Sequence, residues 1–271
     1  MMNERTTRVQ RHEGKGQRHC ASFRHRYSTS PLVLGSLAFA SLLSCAIPWS
    51  RAQNGGAGAE FTNAFDVGSC GFSPTGMNPY FILLPGYQLV LEGQEGGEVL
   101  RVEITVLHEI ETLRLNDLST VQARVVEERE WADGELQEVS RNFYALCCRT
   151  NAVYYFGEGV DIYEDGEVVS HDGAWRAGES GARPGIMMPG TFLLGSRYYQ
   201  ETAPAVALDR AEHVAMGLTI ATPAGLFADC VQVVETTPLD PDAGGSKSYC
   251  PGIGLVVDET LGLVAYGFVD R

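Results

Sequence analysis

The sequence predicts an all-β protein, and three observations carry that prediction. Apolar and polar residues alternate strictly, Asp-Gly pairs separate the alternating runs, and helical periodicity is almost missing past residue 52. Leu100, Val102, Ile104 and Val106 alternate with Arg101, Glu103 and Thr105, the period of two that gives each face of a strand its own residue set. Runs 121–131 and 136–146 meet across Asp133-Gly134, and Asp-Gly suits the two positive φ angles of a type I′ hairpin turn. Asp165-Gly166 repeats the signal between 160–164 and 167–170.

The other elements follow in order. Tyr87, Leu89 and Leu91 alternate with Gln88, Val90 and Glu92, and Val153-Tyr154-Tyr155-Phe156 is an aromatic, β-branched run suited to a pleated surface. Residues 173–195 read as loop, because Pro184 and Pro189 oppose regular pairing. Strands are then expected at 198–202, within 206–220 (where Val214, Met216, Leu218 and Ile220 alternate), and at 227–235, 254–258 and 263–269. Short strands with tight turns, roughly ten to twelve of them, predict a single antiparallel β-barrel, lipocalin-like or related, with a sandwich as the alternative. A closed barrel has no edge strands, which suits an exported monomer.

An abrupt change of character near residue 52 sets the domain organisation. The first 52 residues carry eight Arg or Lys against Glu4 and Glu13, a net of +6, while the whole chain is −14, so residues 53–271 carry −20. A basic segment followed by the apolar run 31–49 reads as a signal peptide, with Ser50 and Ala52 as the small residues before cleavage. The competing reading is a lipobox at Leu42-Leu43-Ser44-Cys45, which would lipidate Cys45 and anchor the protein to the envelope. The expected organisation is therefore a leader at 1–52, a flexible segment at 53–77 and a β domain at 78–271. The expected location is periplasmic or extracellular.

A charge of −20 repels phosphate backbones and anionic membranes, which excludes nucleic acid as a favoured partner and limits membrane contact to lipidation at Cys45. It suits cationic ligands. Past residue 52 there is one lysine, Lys247, against eleven arginines, a bias that reads as base composition. Export permits disulfides. Cys230 with Cys250 is the first expected pair; Cys70 is expected to join Cys147 or Cys148, leaving one free thiol. No CxxC, HExxH or HxH pattern occurs, and Asp240-Pro241-Asp242-Ala243-Gly244 lacks the closing Glu of a calcium loop, so neither metal nor cofactor is expected.

Nucleophile motifs are also missing: Gly178-Glu179-Ser180-Gly181 has the wrong spacing for a nucleophile elbow. The densest mixture of aromatic and ionisable groups is Tyr198-Tyr199-Gln200-Glu201 followed by Asp209-Arg210-Ala211-Glu212-His213. In a strand, Asp209 and His213 share one face while Arg210 and Glu212 share the other. An inward Asp209/His213 pair is the candidate acid–base couple, since burial and pairing shift both pKa values. Tyr198, Tyr199, Glu201, Arg210 and Glu212, with Trp175 at a pocket mouth, are the candidate ligand contacts. The bland alternative for the same residues is an outer-wall salt-bridge ladder and a Trp plugging the barrel end.

Several segments (Asn78-Pro79-Tyr80-Phe81, Tyr155-Phe156-Gly157-Glu158, Gly173-Ala174-Trp175-Arg176-Ala177-Gly178, the run Gly181 to Pro189, Tyr-Tyr-Gln-Glu, Asp-Arg-Ala-Glu and Pro251-Gly252-Ile253-Gly254) together resemble a family of exported bacterial β-rich proteins. The resemblance spans 78–267 and implies an exported single β domain; it carries over no activity and no catalytic residue. The leading functional expectation is a barrel that binds a small, partly apolar ligand, or an envelope accessory domain, without catalysis. The alternatives are an enzyme using the Asp/His/Glu cluster and a lipidated envelope interaction protein. Oligomeric state is left open.

Overall fold

The computed structural model describes residues 60–115 and 119–269. The leader, its cleavage at Ala52 and the lipidation alternative at Cys45 lie outside the described residues. Three short strands, β1 (Phe72–Ser73), β2 (Gly76–Asn78) and β3 (Phe81–Leu83), precede a long antiparallel meander. The meander is β4 (Tyr87–Glu95), β5 (Glu98–Arg114), β6 (Thr120–Ala132), β7 (Glu135–Cys147) and β8 (Val153–Glu164). Short segments follow: β9 (Glu167–Ser170), β10 (Trp175–Arg176), β11 (Arg183–Met188), β12 (Arg197–Tyr199) and β13 (Glu201–Thr202). A second meander, β14 (Arg210–Thr222), β15 (Gly225–Thr236), β16 (Gly244–Cys250), β17 (Gly254–Asp258) and β18 (Leu261–Phe268), returns to pair with β4.

The protein is all-β, with one large antiparallel sheet that takes in every strand except the β2–β3 hairpin. Among the described residues the only helical element is a 3-10 turn at Val67–Ser69, and no helix is long and apolar enough to cross a membrane. Both Asp-Gly turns form as expected, with φ of 50° and 86° at Asp133-Gly134 and 52° and 80° at Asp165-Gly166. The hydrogen-bonded strand order starts at β12 and finishes at β13. These segments are separated in the chain by Gln200 alone, whose N–H donates to the Asp209 carbonyl at 2.8 Å. β12 pairs with β14 and β13 with β11, so one short stretch of chain meets both ends of the sheet order.

Three local expectations change. Residues 173–195 contain β10 and β11 rather than loop alone. Pro184 is tolerated because it sits second in β11, at the end of a short ladder, where one lost donor costs little. Runs 153–156 and 160–164 merge into β8, with Gly157 (φ 153°) letting β10 approach where a Cβ would overlap the Trp175 carbonyl. β16 has no counterpart among the expected strands: Gly244-Gly245-Ser246-Lys247-Ser248 lacks the β-branched alternation that marks a strand.

The domain also begins before Asn78. Phe72 packs edge-on against Tyr154 and Phe156, at 5.3 and 5.0 Å between ring centroids. Cys70 is bonded to Cys147. Asn78, 1 % exposed, donates to the carbonyls of Asn151 (2.8 Å) and Pro189 (2.9 Å) and accepts from Tyr80 N–H, which ties β2 to two loops. Cys230 is bonded to Cys250, the first expected pair. The free thiol is not found: Cys148 is disulfide-bonded as well. Such cross-links typically contribute about 2–4 kcal/mol each and fit an oxidising, exported environment.

Candidate functional site

The expected face assignment holds only from Arg210 onward: Asp209 lies before β14 and is exposed, so it does not share the buried face of His213. Ala211 and His213 are buried while Arg210 and Glu212 are half-buried on the other face. His213 is committed on both ring nitrogens, Nε2 to Tyr198 Oη at 2.9 Å and Nδ1 to the Leu193 carbonyl at 3.1 Å. Its ring stacks on Phe192 at 3.7 Å. Burial pushes the imidazole pKa down to about 4, so His213 is a neutral core residue that ties β12 to the 192–196 loop. Asp209 donates its N–H to Glu201 Oε1 at 2.5 Å. Glu201 is 1 % exposed, and burial followed by the Asp209 charge holds its carboxyl well above the usual range.

The remaining candidates serve the outer wall or the packing. Arg210 lies over the Phe61 ring at 4.6 Å and reaches Thr236 Oγ1 at 3.2 Å, and Tyr199 meets Phe61 edge-on at 6.2 Å. Glu212 pairs with Arg197 at 2.6 Å. Trp175 is buried edge-on against Tyr155 at 5.1 Å. None of these eight residues lines either of the two cavities described next.

Two adjoining cavities open between the meanders, and Glu128, Lys247 and Asp258 belong to both. The outer, of about 340 Å³, is edged by Trp131, Glu130, Glu235 and Glu259. The inner, of about 70 Å³, is walled by Tyr80, Phe81, Leu89, Ile104, Val106 and Tyr249, among other apolar and aromatic groups. Strand parity explains this lining. Ile104 and Val106 of β5 and Val126, Glu128 and Glu130 of β6 are all even-numbered and point to one side, while Glu127 and Arg129 point to the other. On that other side Glu127 pairs with Arg129 (2.7 Å) and Arg141 (3.4 Å), and Arg141 with Asp161 (3.6 Å).

Lys247 is the centre of the interior cluster. Its Nζ lies 3.1 Å from Glu235 Oε2 and 3.6 Å from Asp258 Oδ2. The Glu235 carboxylate, against the opposing cost of burial, raises the ammonium pKa well above its ordinary value. Glu235 also accepts from Gln200 Nε2 at 2.8 Å, so the residue between the two ends of the sheet order is tied to the lysine cluster. Acids outnumber this one cation. Burial, then Glu130, pushes Glu128 up to about 8, with Lys247 opposing. Glu130 and Glu138 face each other directly across β6 and β7, and burial raises both. Burial lifts Glu158 to about 7, with the neighbouring Tyr155 and Ser140 hydroxyls opposing.

These shifts set a pH window. A carboxyl whose pKa is raised on folding stabilises the fold at low pH and loses that contribution as pH rises through the folded value, here about 7 to 8 for Glu158 and Glu128. A depressed histidine does the reverse: the contribution of His213 is present above 6.5 and lost as pH falls toward about 4. Between about pH 4.5 and 6.5 the two carboxyls lose more than the one histidine gains. Stability is therefore expected to be highest at about pH 4.5–5 and to fall above it, with the melting temperature dropping on the order of 5–10 °C from pH 6 to pH 9. Glu128→Gln should flatten the alkaline limb. Thermal melts from pH 4 to 9 check this, and a melting temperature still rising at pH 8 would contradict it.

Among the cavity residues, Glu128, Glu130, Lys247, Asp258, Tyr144 and Tyr249 were not singled out by sequence. One signal did exist, the lone lysine past residue 52. Comparison with protein-family models, curated proteins and solved structures finds no match for the chain.

Proposed function

We propose that this is an exported β-barrel that binds a small, partly apolar ligand in the cavity between its meanders. Closure of the barrel is supported by the strand order, whose first and last members flank Gln200. The observation that carries the binding reading is the junction of an acid-edged outer cavity of about 340 Å³ with an apolar inner one at Glu128, Lys247 and Asp258. Binding pockets join apolar walls to a few convergent polar groups in this way. Export is supported by the disulfides and by the basic-then-apolar leader. Catalysis by Asp209 with His213 loses support, because both nitrogens of His213 are engaged in the core.

Trp131 edges the outer cavity and reports on occupancy. Short-chain amines, alcohols and carboxylic acids, titrated singly, should include at least one that changes tryptophan emission saturably. A ligand this small is expected to bind with a Kd roughly in the micromolar to millimolar range. The change should vanish in Trp131→Phe. If no member of the set gives a saturable change, the cavity is not a binding site for ligands of this size.

A further inference from the structure

Of the six buried tyrosines, Tyr144, Tyr154 and Tyr249 make no side-chain hydrogen bond among the described residues, and of these Tyr144 and Tyr249 line a cavity. Tyr87 donates its hydroxyl to the Ile253 carbonyl at 2.8 Å, Tyr155 to Asn142 Oδ1 at 2.5 Å, and Tyr198 meets His213 at 2.9 Å. Tyr144 and Tyr249, 7 % and 3 % exposed, line the inner cavity, and their hydroxyls meet no hydrogen-bond partner among the described residues. Neither hydroxyl is sealed in the packing, since among the described residues the fully enclosed partnerless side-chain atoms are Trp175 Nε1 and Arg210 Nε. A buried hydroxyl facing a cavity without a partner is costly unless something else satisfies it. Both tyrosines interact electrostatically with Lys247, Tyr144 also with Glu128 and Tyr249 also with Asp258.

We infer that the ligand is a primary amine in its ammonium form, its nitrogen seated where Glu128, Tyr144 and Tyr249 converge and its short apolar body lying against the inner cavity wall. The inference rests on the ligand-binding reading above and names the ligand's chemistry. An ammonium has three N–H donors and no acceptor, which matches one carboxylate and two phenolic oxygens. Aromatic walls at Tyr80 and Phe81 add attraction for a cation. An anion would meet Glu128, Glu130 and Asp258 with only Lys247 in its favour, and that cation is already held by Glu235 and Asp258. A neutral alcohol satisfies the hydroxyls but brings no charge to pair with Glu128 once that carboxyl ionises.

The charge of Glu128 makes binding proton-linked. Facing it are Glu130 on its own strand, Tyr144 of β7, Glu158 of β8, Lys247 of β16 and Asp258 of β17. Because burial holds the carboxyl near 8, it is largely protonated at pH 6. Entry of the ammonium converts it to carboxylate and releases one proton to solvent, while the amine keeps its own. Affinity therefore rises with pH between 6 and 8.

The test is calorimetric titration of the full chain with pentylamine, 1-pentanol and pentanoate at pH 6 and pH 8. Pentylamine is expected to bind at least about tenfold more tightly than pentanol, pentanoate not at all, and pentylamine affinity to rise about tenfold or more across the pH range. Glu128→Gln should abolish the pH dependence. Tyr144→Phe and Tyr249→Phe should each weaken pentylamine by about three- to tenfold without lowering the melting temperature, since each removes a partnerless hydroxyl. Pentanol or pentanoate binding as well as pentylamine would overturn the amine assignment and leave the binding reading standing. Failure of all three would overturn both. Native-like pentylamine affinity in both tyrosine variants would overturn the placement of the nitrogen.

Discussion

Lys247→Met is expected to destabilise the protein by about 2–3 kcal/mol at pH 8, below the range for removing one partner of a fully buried ion pair because Lys247, Glu235 and Asp258 are all partly exposed. Methionine fills much of the same volume, so the loss is electrostatic rather than a cavity effect. Glu235 at 3.1 Å and Asp258 at 3.6 Å would face each other and Glu128 with no cation between them. The sign with pH follows from the same groups. Glu128, Glu130 and Asp258 have raised pKa values even with the lysine present, so at pH 5 they take up protons and the penalty shrinks. Urea unfolding of Lys247→Met at pH 5 and pH 8 measures both effects. An equal loss at the two pH values would mean that Lys247 acts by packing alone.

Gly185→Ala is expected to cost about 3 kcal/mol or more, at the upper end of overpacking effects. Gly185 lies in β11 opposite Tyr155. A Cβ there would overlap the Tyr199 carbonyl and the Gln200 backbone, which are main-chain atoms and not side-chain ends that can swing away. The strain falls where the chain passes from β12 to β13, so it should disturb Gln200 and, through its hydrogen bond to Glu235, the lysine cluster. Gly159→Ala is the control: nothing lies within 4 Å of its added Cβ, and a change within about 0.5 kcal/mol is expected. Thermal melts of the two variants decide between local strain and a general intolerance of alanine in these strands.

The fold was legible in the sequence wherever one face of a strand is apolar and the other polar. The β5 alternation and the two Asp-Gly turns are of that kind, and the structure contains them. β6 shows why the site was not legible. Its run Glu127-Glu128-Arg129-Glu130 places acids on both faces, so no periodicity distinguishes the cavity carboxylates from the outer ion-pair ladder. β16 hid itself for another reason: its glycines and serines resemble a loop, although pairing with β15 and β17 makes it a strand. Lys247 was visible only as an oddity of composition.

The 198–213 cluster illustrates the opposite failure. The alternation of Arg210 and Glu212 with Ala211 and His213 is present in β14, but Asp209 lies outside the strand, and density of ionisable groups does not say which face meets a cavity. His213 and Tyr198 satisfy each other in the core. The cavity was built instead from strands distant in sequence, from Phe81 in β3 to Asp258 in β17, through registers such as Lys247 opposite Asp258 that only the folded sheet brings together.

Lys15 and Lys247 are the only lysines in the chain, so selective isotopic labelling of lysine in the intact protein yields two side-chain signals, assignable with Lys247→Met. Titration with pentylamine, followed on these signals by NMR, tests the binding cavity at its centre. A saturable shift of the Lys247 signal, stronger at pH 8 than at pH 6, is the expected result. A Lys247 signal that stays unchanged to saturating amine at both pH values would contradict it.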